Sequence, residues 1–165
     1  MKAYALCISD RCSKGECEDI SGRVLCELLS TLCDSEYMGV VPDEKDIIAK
    51  RLCELCDGTN PPDFIFTTGG TGFAPRDVTP EATLSVIERN APGISEAIRA
   101  ESLKITPKAM LSRGVSGIRG KTLIINLPGS PKAVREAFEI VAPILSHAAE
   151  TLSGNTQSCG GSYNK

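Results

Sequence analysis

Residues 3–8, 36–41, 63–67 and 121–127 are short apolar runs. Between them lie stretches whose apolar residues recur every three or four positions. A chain that keeps switching between those two periods builds βα units, in which helices cross over between parallel strands. Between residues 20 and 33 the helical face would carry Val24, Leu25, Leu28, Leu29 and Leu32. A second helix would open at Asp43 as its cap and bury Ile47, Ile48, Leu52 and Leu55, ending at Asp57-Gly58. A third is predicted from residue 80 to about 89, with Thr79 as N-cap and Pro80 at the first helical position. Ala91-Pro92-Gly93 should end it, with a further helix over 94–103 and a hairpin arm over 115–120. Ser130-Pro131 opens the longest helix, carrying Val134, Ala137, Phe138, Val141, Leu145 and Ala148 on one face and either kinked or interrupted at Pro143. The expected architecture is one three-layer α/β/α domain with a mostly parallel central sheet, spanning 1–153. Residues 154–165 should form a flexible tail.

Composition narrows the partners. A pI near 5.3, a net charge of −3 and no Trp argue against nucleic acid, which calls for a basic face and stacking aromatics. No apolar run reaches the ~20 residues that a bilayer requires, and residues 1–6 lack the pattern of a secretion signal. We therefore expect a cytoplasmic protein that binds neither membranes nor nucleic acid. Eight cysteines (7, 12, 17, 26, 33, 53, 56 and 159) then read mainly as reduced, space-filling thiols. Cys53 and Cys56 form a C-x-x-C inside a helical pattern, with no second ligand pair to make a zinc site. The alternative for that pair is a redox or metal site. The single histidine, His147, falls on the last helix, away from every glycine loop.

In a mostly parallel sheet, ligands bind at the carboxyl ends of the strands. The loop after the third strand is the most informative: Thr67-Thr68-Gly69-Gly70-Thr71-Gly72, followed by Arg76 and Asp77 and then a helix start. Glycines at 69, 70 and 72 permit positive φ and turn amide groups toward an anion. No Gly-Lys-Ser/Thr follows, so this is not a Walker loop, and it does not match G-x-G-x-x-G. Arg76 adds a cation, and the loop reads as a phosphate site built from Gly69, Gly70, Thr71, Gly72 and Arg76. Pro128, Gly129 and Ser130 place a second amide cluster before a helix, and Ser112 adds a hydroxyl. Ser9-Asp10-Arg11, after the first strand, could line the same crevice. Asp43 reads first as a helix cap. Asp43 and Asp77 together could instead hold one Mg²⁺, which takes one or two carboxylates plus phosphate oxygens and water.

These residues resemble a known family, the molybdenum-cofactor biosynthesis domains that bind molybdopterin, and within it the molybdopterin adenylyltransferases. The matching segments are Ile8-Ser9-Asp10-Arg11, Asp19-Ile20-Ser21-Gly22, Val41-Pro42-Asp43-Glu44 and the glycine loop through Pro80. Ala109-Met110-Leu111-Ser112-Arg113 and Asn126-Leu127-Pro128-Gly129-Ser130 complete them, in the family's order. The resemblance implies Mg²⁺-dependent transfer of AMP from ATP to the terminal phosphate of molybdopterin, with pyrophosphate released. It implies that Asp43 and Asp77 are catalytic and associated with the metal, which displaces the cap-only reading of Asp43. It further implies a homotrimer, or a hexamer in one branch, and hand-off of product to a molybdate-insertion enzyme. The competing expectation is a molybdopterin-binding carrier or assembly protein without turnover.

Overall fold

The computed structural model describes residues 1–154, so the expected tail, Cys159 included, lies almost wholly outside the described residues. A six-stranded sheet runs in the order β2 (Asp34–Val41), β1 (Lys2–Ile8), β3 (Phe64–Thr68), β6 (Thr122–Leu127), β5 (Ser116–Arg119), β4 (Arg89–Asn90). The first four strands are mutually parallel, and β5 and β4 are antiparallel additions at one edge. β1, β3 and β6 are buried along almost their whole length, which is why they read as continuous apolar runs rather than alternating ones.

The period of two still decides which face each side chain serves. Ala3, Ala5, Phe64, Phe66, Leu123 and Ile125 point to one face. There they meet Val24, Leu25 and Leu29 of α2 (Ile20–Ser30), Ile98 of α5 (Pro92–Leu103) and Val134, Ala137 and Phe138 of α6 (Pro131–Val141). Tyr4, Leu6, Ile8, Ile65 and Ile124 face the other way. They pack on Ile48, Leu52 and Leu55 of α3 (Lys45–Cys56) and on Ala82 and Val86 of α4 (Thr79–Val86). The chain is thus the expected α/β/α sandwich. Pro143 interrupts the last helix as anticipated: α6 gives way to a 3₁₀ turn, Ala142–Ile144, and then to α7 (Leu145–Leu152).

Several local expectations need correction. Asp43 is not a cap: α3 is entered through Glu44, and no side chain caps it. Thr79 is not the N-cap of α4 either, since Val78 holds that place and the Thr79 hydroxyl donates to the Gly69 carbonyl at 2.9 Å. α4 stops at Val86 rather than near 89, because Glu88 and Ala91 donate to the Ile118 and Ser116 carbonyls and draw residues 89–90 into the sheet. α5 begins at Pro92, with proline in the first turn where its missing N–H costs nothing. Ile47 faces solvent.

Candidate functional site

The carboxyl ends of β1, β2, β3 and β6 share one rim of the sheet, and the loops singled out in the sequence all emerge there. Their contact is tight enough to require glycine. Gly69 and Gly70 leave β3 at φ +104° and +61°, in the left-handed region. A Cβ on Gly69 would run into the Ile8 carbonyl at the end of β1, while its Cα lies 3.3 Å from where a Cβ on Gly129 would sit. Gly69 N–H donates to the Leu127 carbonyl, and Thr68 Oγ1 donates to that of Pro128 at 2.7 Å. The two glycine turns are thereby locked onto each other.

Asp43 stands just past the end of β2, braced by the loop after β1. Asp10 N–H donates to Asp43 Oδ2 at 2.7 Å, and Asp43 N–H donates back to Asp10 Oδ1 at 3.1 Å. Asp77 closes a turn of its own, its Oδ2 accepting from Ala74 N–H at 2.9 Å. Both carboxylates flank the glycine loop. A Cβ on Gly70 would come within 2.8 Å of Asp43 Oδ1, and one on Gly72 within 2.8 Å of Asp77 Oδ2. Burial raises the Asp43 carboxyl above its ordinary range, and the charges of Asp10 and Asp77 add to that. Among the described residues, Oδ1 of Asp43 and Oδ1 of Asp77 accept no hydrogen bond from the protein.

Two cavities open at this rim. One, of about 470 Å³, is floored by Gly70, Thr71, Gly72, Asp77, Ser112 and Pro128 through Ser130, with Ile98 and Leu111 as apolar walls and Arg99 and Lys108 beside them. The other, of about 380 Å³, is lined by Asp43, Gly69, Ser9, Cys12 and Asp19, among others. Gly70, Asp77 and Gly129 belong to both. Every residue expected in the phosphate and metal sites except Arg76 therefore lines one cavity or the other, whereas of Ser9, Asp10 and Arg11 only Ser9 does.

Arg76 is engaged elsewhere. Its guanidinium donates to both oxygens of Asp10, at 2.9 and 3.0 Å, and to Glu44 Oε1 at 2.8 Å. That fork holds Asp10 below the usual carboxylate range, so Asp10 stays ionised while it braces Asp43.

Sequence reasoning missed the part played by Arg113. Its backbone N–H donates to the Thr71 carbonyl, and its side chain donates to the carbonyls of Gly72 and Asp77 and to Glu81. One planar, five-donor side chain thus spans the loop from glycine turn to helix. The only signal was an arginine directly after Ser112. Asp19 was named only within a matching segment, and its role was not read. Buried, it caps α2 by accepting from Gly22 N–H and receives the hydroxyls of Ser21 and Tyr37 at 3.1 and 2.7 Å. An aspartate three positions before a glycine at a helix start was its signal.

His147 is exposed on α7, and Cys53 and Cys56 lie a turn apart on α3. Among the described residues, no three His, Cys, Asp or Glu side chains are grouped to hold a metal ion unaided. Asp43 and Asp77 are the two carboxylates that flank the glycine loop. That set suits an ion completed by phosphate oxygens and water rather than a protein-only cage.

Comparison with known proteins places the chain in a family. The family described as "Probable molybdopterin binding domain" matches residues 4–147. Relatives named molybdopterin adenylyltransferase include one from Helicobacter pylori, 47% identical over 153 residues, which cover 91% of this chain and 86% of that protein. Another, from Escherichia coli K12, is 45% identical over 135 residues, covering 80% and 69%. The molybdopterin biosynthesis enzyme MoaB of Thermus thermophilus superposes with a TM-score of 0.84 at 44% identity, covering 93% of this chain and 96% of that one.

Proposed function

Because the chain belongs to the molybdopterin-binding domain family, we propose that it is a molybdopterin adenylyltransferase, a nucleotidyltransferase that moves AMP from ATP onto the terminal phosphate of molybdopterin. The observation that carries this reading is the meeting of two cavities at Gly70, Asp77 and Gly129. Two substrates placed there would bring their phosphates together over one carboxylate. The molybdopterin phosphate oxygen attacks the α-phosphorus of ATP, and the bond to the β-phosphate oxygen breaks with release of pyrophosphate. No side-chain nucleophile is needed, and the work left to the protein is positioning and charge compensation.

Residues at the rim meet those needs. The turn beyond Gly69, whose own amide is bound to Leu127, offers the amides of Gly70 to Gly72, and with the start of α6 behind Ser130 these suit phosphate oxygens. Asp43 and Asp77, each with one oxygen free of protein hydrogen bonds, would hold Mg²⁺. When bound, the ion would offset the charge gathered by two polyanions. Asp10, Arg76 and Arg113 keep the two carboxylates and the loop in place.

We extend the proposal to a homotrimer or hexamer working in the cytoplasm, handing its product to a molybdate-insertion enzyme, as the family resemblance suggests. Light scattering tests the assembly. Among the described residues no helix is long and apolar enough to cross a membrane. The direct test of the reaction supplies purified protein with ATP, Mg²⁺ and molybdopterin. Pyrophosphate and adenylylated pterin should appear in equal amounts. Retention of the pterin without pyrophosphate would make the protein a carrier instead.

A further inference from the structure

The loop after β1 carries a feature that adenylyl transfer does not use. Ser9 caps a single helical turn, α1 (Asp10–Ser13), which contains Cys12. The chain then reverses at Gly15, whose φ of +74° suits glycine, with Gly15 N–H donating to the Cys12 carbonyl and Glu16 N–H to that of Arg11. The reversal returns Cys17 onto Cys12, and the two sulfurs stand 2.6 Å apart. Both are half-buried and within reach of solvent. Among the described residues no other pair of sulfurs is in such contact. Cys7 and Cys56 are buried, Cys33 donates to the Leu29 carbonyl, and Cys26 lies against Ser35.

We propose that Cys12 and Cys17 are a reversible disulfide site, oxidised by a low-molecular-weight disulfide such as oxidised glutathione, and that the bond tethers the loop bracing Asp43. The first half stands on the loop geometry alone; the second rests on the adenylyltransferase reading. In the first step one of the two thiolates attacks the small disulfide, forming a mixed disulfide and expelling one small thiol. The second thiol gives up its proton and attacks the protein sulfur of that adduct, expelling the other small thiol. The two protein thiols lose two electrons and two protons, and the small disulfide becomes two thiols. The bond requires about half an ångström of approach to reach its ~2.05 Å length. Thiols already held together also close at a milder oxidant level than thiols that must search for each other. Cys12 lines the same cavity as Asp43, and Asp10 on the same helical turn exchanges two hydrogen bonds with Asp43. Fixing α1 to the strand of chain at Cys17 therefore alters the freedom of that brace.

The full chain, equilibrated in graded ratios of reduced to oxidised glutathione and quenched with an alkylating agent, tests both halves. Trypsin cuts after Arg11 and Lys14, leaving Cys12 in residues 12–14 and Cys17 in residues 15–23. These two peptides should be recovered joined, at a more reducing ratio than that which oxidises any other cysteine. Cys17→Ser should instead retain a glutathione adduct on Cys12. Recovery of both cysteines alkylated while others are oxidised, or joined to other partners, overturns the site. Pyrophosphate release should fall several-fold in the oxidised protein, recover with reductant, and ignore oxidant in the double variant Cys12→Ser/Cys17→Ser, which leaves no thiol in this loop to be joined or capped. Joined peptides with unchanged turnover overturn the tether and leave the disulfide standing. Joined peptides with no turnover in either redox state count against the adenylyltransferase reading instead.

Discussion

Gly69 does two jobs at once, turning the chain and letting β1, β3 and β6 converge at the rim. Its φ of +104° is one that an L side chain rarely adopts, and a Cβ there would meet the Ile8 carbonyl, which belongs to a buried strand and cannot move aside. Gly69→Ala should therefore cost about 2 kcal/mol or more of stability, read as a lower urea midpoint, with pterin retention falling alongside. Arg113 makes a different kind of prediction. Arg113→Lys keeps the charge but loses the fork, so the Gly72 and Asp77 carbonyls can no longer both be served. We expect a loss of about 2 kcal/mol. Glu81→Gln should cost less, because it leaves both carbonyls bonded and the Glu81 side chain is partly exposed. Equal losses in a chemical-denaturation series would show that the ion pair, not the carbonyl clamp, is what matters.

At the scale of the elements, helices and strands were legible where one period persisted over a whole segment. α2, β3, β6 and the Pro143 interruption were all read within a few residues of their places. Misreadings fell where a side chain with strong local preference was claimed by a distant partner. Asp43 and Thr79 look like caps because their neighbours start helices, yet Asp43 is bound to Asp10 and Thr79 to Gly69. No local pattern shows which partner wins. The same holds for α4, cut short because residues 89–90 become the edge strand by pairing with β5, which lies far off in sequence. The thiols also reflect the layer they occupy. Burial pushes Cys56 up to about 12 and raises Cys7 too. Unfolded thiols titrate near ~8.5, so the unfolded chain ionises first as pH rises. Stability from keeping these thiols neutral is thus full below that value and drains above it. The unfolding midpoint should fall between pH ~8.5 and ~11, more steeply in the wild type than in Cys7→Ala/Cys56→Ala. Parallel curves for the two proteins would contradict this.

For the whole molecule, the decisive fact is that four crossings of the sheet deliver their loops to a common rim. That much followed from the alternation of periods, because parallel strands must all end on the same side. Which loops touch did not follow. The sequence offered Arg76 as a phosphate ligand, whereas the fold pairs it with Asp10 and Glu44, so the cation that follows the glycine loop in sequence serves the scaffold. The fold also divides the site into two cavities joined at Asp77, an arrangement no motif spacing reveals. The account stands on Asp43 and Asp77 acting between two bound polyanions. Its most direct test measures pyrophosphate release by Asp43→Asn and Asp77→Asn with ATP, Mg²⁺ and molybdopterin, in protein shown to retain the pterin. Each substitution should lower the rate by about 10²-fold or more, the scale seen when one electrostatic element of an active site is removed. Rates close to wild type in both would contradict it.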